Sequence, residues 1–171
     1  MVRYVHLQLA TVVEVAVAMT VIAPVVLVVH GLPQDNYALP AMCVIGASAL
    51  FGLLAVLTRS GWLGGEKRDF ENAVPLADPE AIPTSQESLR RSFDGPFVVV
   101  VAVPTLVFGL IWGPWGMTWA LFLVPERIVK GVYIYFWERH RGVLLWRGRV
   151  EEQPLEKGQF LYSSPRIAVP G

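Results

Sequence analysis

FVVVVAVPTLVFGLIWGPWGMTWALFLV, residues Phe97 to Val124, decides how many times this chain can cross a bilayer. The run holds about 28 apolar residues, whereas one spanning helix needs roughly 20. Gly113-Pro114-Trp115-Gly116 divides it with residues that break helices. Two readings follow. The stretch is one kinked helix with an interfacial segment from Glu126 onward, or Gly113-Pro114 is a tight turn between a third span, about 97–112, and a fourth, about 115–137.

Two further apolar runs lie upstream. The first, about 7–29, contains Glu14 and Pro24. It exceeds the roughly 7–15 residues of a signal-peptide core, and Ala16-Val17-Ala18 falls in its middle, so it reads as a retained span. The second, about 40–58, opens near Pro40, a residue tolerated in a first helical turn. Gly31-Leu32-Pro33-Gln34-Asp35-Asn36 reads as the turn between them. Trp62 suits an interfacial anchor after the second run.

The positions of Lys and Arg choose between the two readings, because short cytoplasmic loops collect them. With four spans, the outer connections, Gly31 to Leu39 and Gly113-Pro114, contain neither. Arg3, Arg59, Lys67, Arg68, Arg90, Arg91, Arg139, Arg141, Arg147 and Arg149 then share the inner side. With three spans, one basic group falls outside. The expectation is therefore an all-α integral membrane protein of about four transmembrane helices, with both termini cytoplasmic. Its parts are a transmembrane hairpin (1–58), a cytoplasmic polar loop (59–96), a second transmembrane hairpin (97–137) and a cytoplasmic tail (138–171).

Composition agrees with this. Hydrophobic residues make up 54% and charged residues 16%, with mean hydropathy +0.49, where soluble domains are about one quarter charged. Fourteen basic residues balance fourteen acidic ones without a dominant basic stripe, so no nucleic-acid partner is expected. The single cysteine, Cys43, provides no disulfide framework and reads as a small packing residue in an apolar run.

The polar loop carries Pro75, Pro79 and Pro83, and Val74 to Glu80 reads as extended and mobile. Thr84-Ser85-Gln86-Glu87 fits a capping box opening a short amphipathic helix, about 85–93, with Leu89 and Phe93 on one face near the membrane. In the tail, Gly142 to Arg147 and Gln159 to Tyr162 form a weak β-hairpin pattern. The last residues, with Pro165 and Pro170, read as an arm that needs a partner to become ordered.

Charged residues inside spans are costly and so are the first candidates for function. Glu14, Glu126, Arg127 and Lys130 fall within the proposed spans and sum to zero. At 1.5 Å per residue, Glu14 and Arg127 each lie ~15 Å from the cytoplasmic end, near mid-bilayer. Glu126 and Lys130 are spaced to pair along their own helix, which leaves Glu14 for Arg127. Such a cluster serves an ion path, fixes helix register, docks a neighbouring subunit, or is solvated at the interface. Ala41, Ser48, Gly52 and Ala55 share one helix face, where small side chains let backbones approach.

No dinucleotide, phosphate-loop, zinc-protease or nucleophile-elbow motif is present in the sequence. His6, His30 and His140 lie near span ends, and no buried pair suited to haem is expected, so no cofactor or metal is assigned. Arg90-Arg91-Ser92 has the form of a basic phosphorylation context. Arg139-His140-Arg141 with Arg147 and Arg149 reads as a topology signal that also suits anionic lipid heads.

The resulting functional expectation is a non-catalytic accessory or assembly subunit of a larger membrane complex, with membrane lipids and other membrane subunits as partners. Two alternatives stand beside it. One is a small ion or proton-coupled transporter or channel, acting as a homo-oligomer with Glu14 in the path. The other is a membrane enzyme, for which no constellation of nucleophile, base and ligand is evident. The Val- and Ala-rich composition suits a bacterial plasma (inner) membrane.

Overall fold

The structure is a computed structural model, and it describes residues 1–31, 38–58, 66–77 and 82–166. The expected turn at 32–36, Trp62, the middle of the proline-rich segment at 78–80 and the terminal arm with Pro170 lie outside the described residues.

Helix predominates. The order is β1 (Val2–Arg3), α1 (Tyr4–His30), α2 (Ala38–Leu57), α3 (Glu66–Glu71), β2 (Val74–Pro75), α4 (Ser85–Ser92), α5 (Gly95–Trp112), a 3-10 segment (Gly113–Met117), α6 (Thr118–Arg141), β3 (Val143–Arg147) and β4 (Tyr162–Pro165). Among the described residues, three helical stretches are long and apolar enough to cross a membrane: Tyr4–His30, Leu39–Leu57 and one within Ser85–Arg141. Large side chains on them face outward, among them Val28, Leu39, Met42 and Val100, each at least 65% exposed. An aqueous protein does not carry so much contiguous apolar surface, whereas a membrane-embedded one does.

The chain forms two compact units. One comprises Met1–Gln8, Leu54–Ser92 and Lys130–Gly171; the other comprises Leu9–Leu53 and Phe93–Val129.

The second unit is built from apolar helices. Val15, Ala18, Ile22 and Val26 recur every three or four residues along α1 and bury one stripe with Val101, Met117 and Ala120. The long apolar run breaks at the Gly-Pro pair. α5 ends at Trp112, and Gly113 follows with φ +65°, a left-handed conformation that closes a helix without a Cβ penalty. His30 Nε2, in the last turn of α1, donates to the Leu110 carbonyl at 3.0 Å and satisfies one of α5's terminal acceptors.

The first unit contains a four-stranded sheet in the order β1-β3-β4-β2. β3 pairs antiparallel with both β1 and β4, with Arg3 opposite Trp146 and Trp146 opposite Tyr162. β2 lies parallel to β4, with Val74 opposite Tyr162. Pro75, which has no N–H to give a ladder, sits on the edge strand. Val74–Pro75 is thus a paired strand, which corrects the expectation of a mobile segment there. Gln153 fastens the edge by accepting from Ala77 N–H at 3.0 Å and donating to Pro75 O at 2.8 Å. Beneath the sheet, Phe70 is 2% exposed and meets the rings of Tyr4, Tyr133 and Trp137 at centroid distances of 6.0, 6.3 and 5.6 Å.

The tail does form a hairpin, but its second strand is Tyr162–Pro165 and shares only Tyr162 with the expected Gln159 to Tyr162, so Pro165 closes β4 instead of belonging to a loose arm. The sequence reading kept loop and tail apart. Here they form one body with the N-terminus, because residues more than 140 positions apart in sequence hydrogen-bond through β1 and β3.

Candidate functional site

In the second unit, Glu14 is 3% exposed. Its Oε1 accepts the backbone N–H of Asp94 at 2.5 Å. Asp94 is the N-cap of α5, and its own side chain makes no capping bond. In a capping box, a glutamate three residues into the helix reaches back to that N–H; here a glutamate from α1 does so. A carboxylate at a helix N-terminus also meets the positive end of the helix dipole. Glu14 therefore lies level with the start of α5 and holds the Asp94 amide, where spacing had assigned it to the Arg127 guanidinium.

The small-residue face of α2 meets α6. Pro125 lies inside α6, where its ring disturbs the backbone ladder. Ser48 Oγ bridges the opened pair: it donates to Phe122 O and accepts the Glu126 N–H at 3.1 Å. Phe122 and Glu126 are the groups that an unbroken helix would join directly. Repair by a neighbouring hydroxyl is what lets proline persist in an apolar helix. One turn along α2, a Cβ on Gly52 would sit 2.9 Å from Glu126 O, so only glycine permits this approach. Ser48, Gly52 and Ala55 are buried and Ala41 is half-buried. Cys43 is exposed on α2. Ser48→Ala strands both backbone groups and should cost about 1–3 kcal/mol. The melting temperature of the purified protein measures this.

In the first unit, two buried ion pairs stand out. Arg3 Nη2 meets Glu138 Oε2 at 2.5 Å, with the Glu138 side chain 1% exposed. Glu138 Oε1 accepts Leu145 N–H at 2.9 Å. One carboxylate thus ties the N-terminal strand to the α6–β3 corner. Lys130 Nζ meets Glu66 Oε1 of α3 at 2.7 Å, both about nine-tenths buried. Glu126 and Arg127 have interaction partners as well. Of the four candidate charges, the structure therefore puts Glu14 against a helix start and Lys130 against α3.

Ser88 accepts Arg3 N–H at 2.7 Å and lies 3.0 Å from His6 Nδ1. It is on the buried face of α4 with Ser92. Leu89 is 40% exposed, so α4 packs through its serines while Leu89 faces outward. Thr84 caps α4 by accepting Glu87 N–H at 3.3 Å. The returning half of the box is replaced, because Glu87 pairs with Arg91 at 2.5 Å. Arg139, His140 and Arg141 close α6, where cations complement the dipole, and Arg141 lies 5.5 Å over the Trp137 ring.

His6 and His30 are thus engaged by Ser88 and Leu110, and His140 is exposed. Among the described residues, no group of three or more His, Cys, Asp or Glu is placed to hold a metal.

Burial holds the Asp69 carboxyl above the usual aspartate range; neighbouring Arg68 opposes this and Glu66 adds to it. A raised folded-state value means that the folded chain binds the proton more tightly. The Asp69 contribution to stability is then greatest at low pH and falls as pH rises above about 4. Asp69→Asn should raise the melting temperature at neutral pH and flatten this dependence, as thermal unfolding over ~pH 4–8 will show.

Arg3, Glu66, Ser88 and Glu138 were not singled out from sequence. Glu138 sits at the end of an aromatic run and resembles an ordinary solvated helix terminus. Only the pairing of β1 with β3 reveals its role.

No family model matches this chain, and neither curated proteins nor solved structures show a similar one.

Proposed function

We propose that this chain is a multi-pass protein of a bacterial plasma membrane that serves as a non-catalytic accessory or assembly subunit of a larger membrane complex. The observation that carries this reading is the use of Glu14. It is the acid placed earliest in the apolar sequence, and it caps the start of α5. A proton or ion path needs a carboxylate free to change partners, and one fixed on a backbone amide serves architecture instead. Ser48 and Lys130 are engaged in the same way, by a helix repair and an ion pair.

The 3-10 segment at Gly113–Met117 supports four membrane segments over one kinked helix. The absence of Lys and Arg from both outer connections supports cytoplasmic termini. Among the described residues, Val74–Pro75 of the loop pairs with Tyr162 and Ser163 of the tail, so these two parts hold one another. What remains for a partner is the outward apolar surface of α2, with Leu39 and Met42 about 70% exposed.

Purification of the tagged chain in gentle detergent, followed by native mass analysis, tests the proposal. Stoichiometric unrelated subunits are expected, together with loss of the chain from membranes when the partner is deleted. A self-sufficient homo-oligomer whose ion flux is abolished by Glu14→Gln would instead establish the transporter.

A further inference from the structure

The part of α6 that belongs to the first unit presents two contrasting faces. Gly131, Ile134 and Glu138 are buried, and the Tyr133 and Trp137 rings meet Phe70. Val132, Tyr135, Phe136, Arg139 and His140 follow one another at steps of three and four and are all exposed. Val132, Tyr135 and Phe136 are 50, 39 and 61% exposed.

Along this outward face the order is apolar, then aromatic, then cationic. A helix that meets water on its outer side carries polar residues there. An apolar stripe that passes into aromatic rings and then into cations is the pattern of a helix leaving a bilayer through the headgroup layer. The Tyr135 and Phe136 rings meet edge to face with centroids 5.7 Å apart. Phe136, Arg139 and His140 line a shallow cleft of ≈ 560 Å³.

The charge on this cleft is one-sided, since none of its three lining residues is acidic. The acid of the same turn, Glu138, is turned inward to Arg3 and the Leu145 N–H. Among the described residues, neither Arg139 nor His140 is paired with a carboxylate. The helix dipole accounts for a basic last turn. It does not account for the exposed aromatic floor that leads to it. Arginine takes phosphate through paired N–H donors, and a histidine ring supplies another N–H. A zwitterionic headgroup would bring its own cation beside these two, whereas an anionic one meets them without repulsion.

We propose that this face of α6 holds an anionic phospholipid, with its phosphate on Arg139 and His140 and its upper acyl chain along Phe136 and Val132. The proposal rests on the membrane reading above and adds the class of lipid and the residues that select it.

The test is native mass spectrometry of the full-length chain released from vesicles of equal phosphatidylglycerol and phosphatidylethanolamine. Phosphatidylglycerol should be retained about fivefold more than phosphatidylethanolamine, the effect of one basic residue at a membrane surface. Arg139→Gln should remove that preference while the melting temperature holds. Arg149→Gln removes the same charge from an exposed position outside this cleft and should bind as the parent does. Equal retention of the two lipids, an unaltered Arg139→Gln variant, or an equal loss in Arg149→Gln would overturn the proposal. A chain that fractionates with membranes but retains no lipid, or carries a second copy or another subunit on this face instead, overturns this site alone. A chain that stays in the aqueous fraction takes the membrane reading down with it.

Discussion

Glu138→Ala should destabilise the protein by about 3–5 kcal/mol, the cost of removing one partner from a buried ion pair. Two losses combine. Arg3 keeps its charge with its side chain only 19% exposed, and Leu145 loses the acceptor of its N–H. The damage should appear where β1 meets β3, since Arg3 lies opposite Trp146 in that pairing. Hydrogen exchange at Arg3, Leu145 and Trp146 should accelerate together. Glu138→Gln keeps an oxygen for Leu145 and should retain part of the loss. Equal stability of the alanine variant and the parent would show that the pair contributes nothing.

Lys130→Met should cost a similar ~3–5 kcal/mol, because it leaves Glu66 charged, buried and without its cation. The informative measurement is the double variant. Replacing both partners by apolar side chains of similar size is often neutral, so Lys130→Met with Glu66→Met should recover most of the stability. Pairing within α6, the alternative drawn from spacing, would place the coupling with Glu126. A double-mutant cycle across Lys130 and Glu66 is therefore expected to show strong coupling, and a cycle showing none would rule the pair out.

These cases show what the sequence made legible. The apolar runs, the break at Gly113-Pro114, the cap at Thr84 and the close approach at Gly52 are local signals, set by composition and spacing within one helix. The helices and the break fall on these signals, while the cap at Thr84 is realised only in its forward half. The tail hairpin was only faintly visible, since its pattern was weak and pointed to Gln159 to Tyr162, whereas the second strand is Tyr162–Pro165. What was hidden depends on tertiary pairing. No periodicity announces that Arg3 meets Glu138, that Lys130 reaches α3, or that Ser48 enters the ladder opened by Pro125.

The most direct test of the structural role of the charges is the stability of a Glu14 series, read as melting temperature and membrane abundance of the intact chain. Glu14→Gln keeps a carbonyl oxygen for the Asp94 N–H and should stay close to the parent. Glu14→Leu removes the acceptor and should lose about 1.5–3 kcal/mol, the value of a hydrogen bond to a charged group. A leucine variant as stable and abundant as the parent would contradict the capping role and return Glu14 to the candidates for an ion path.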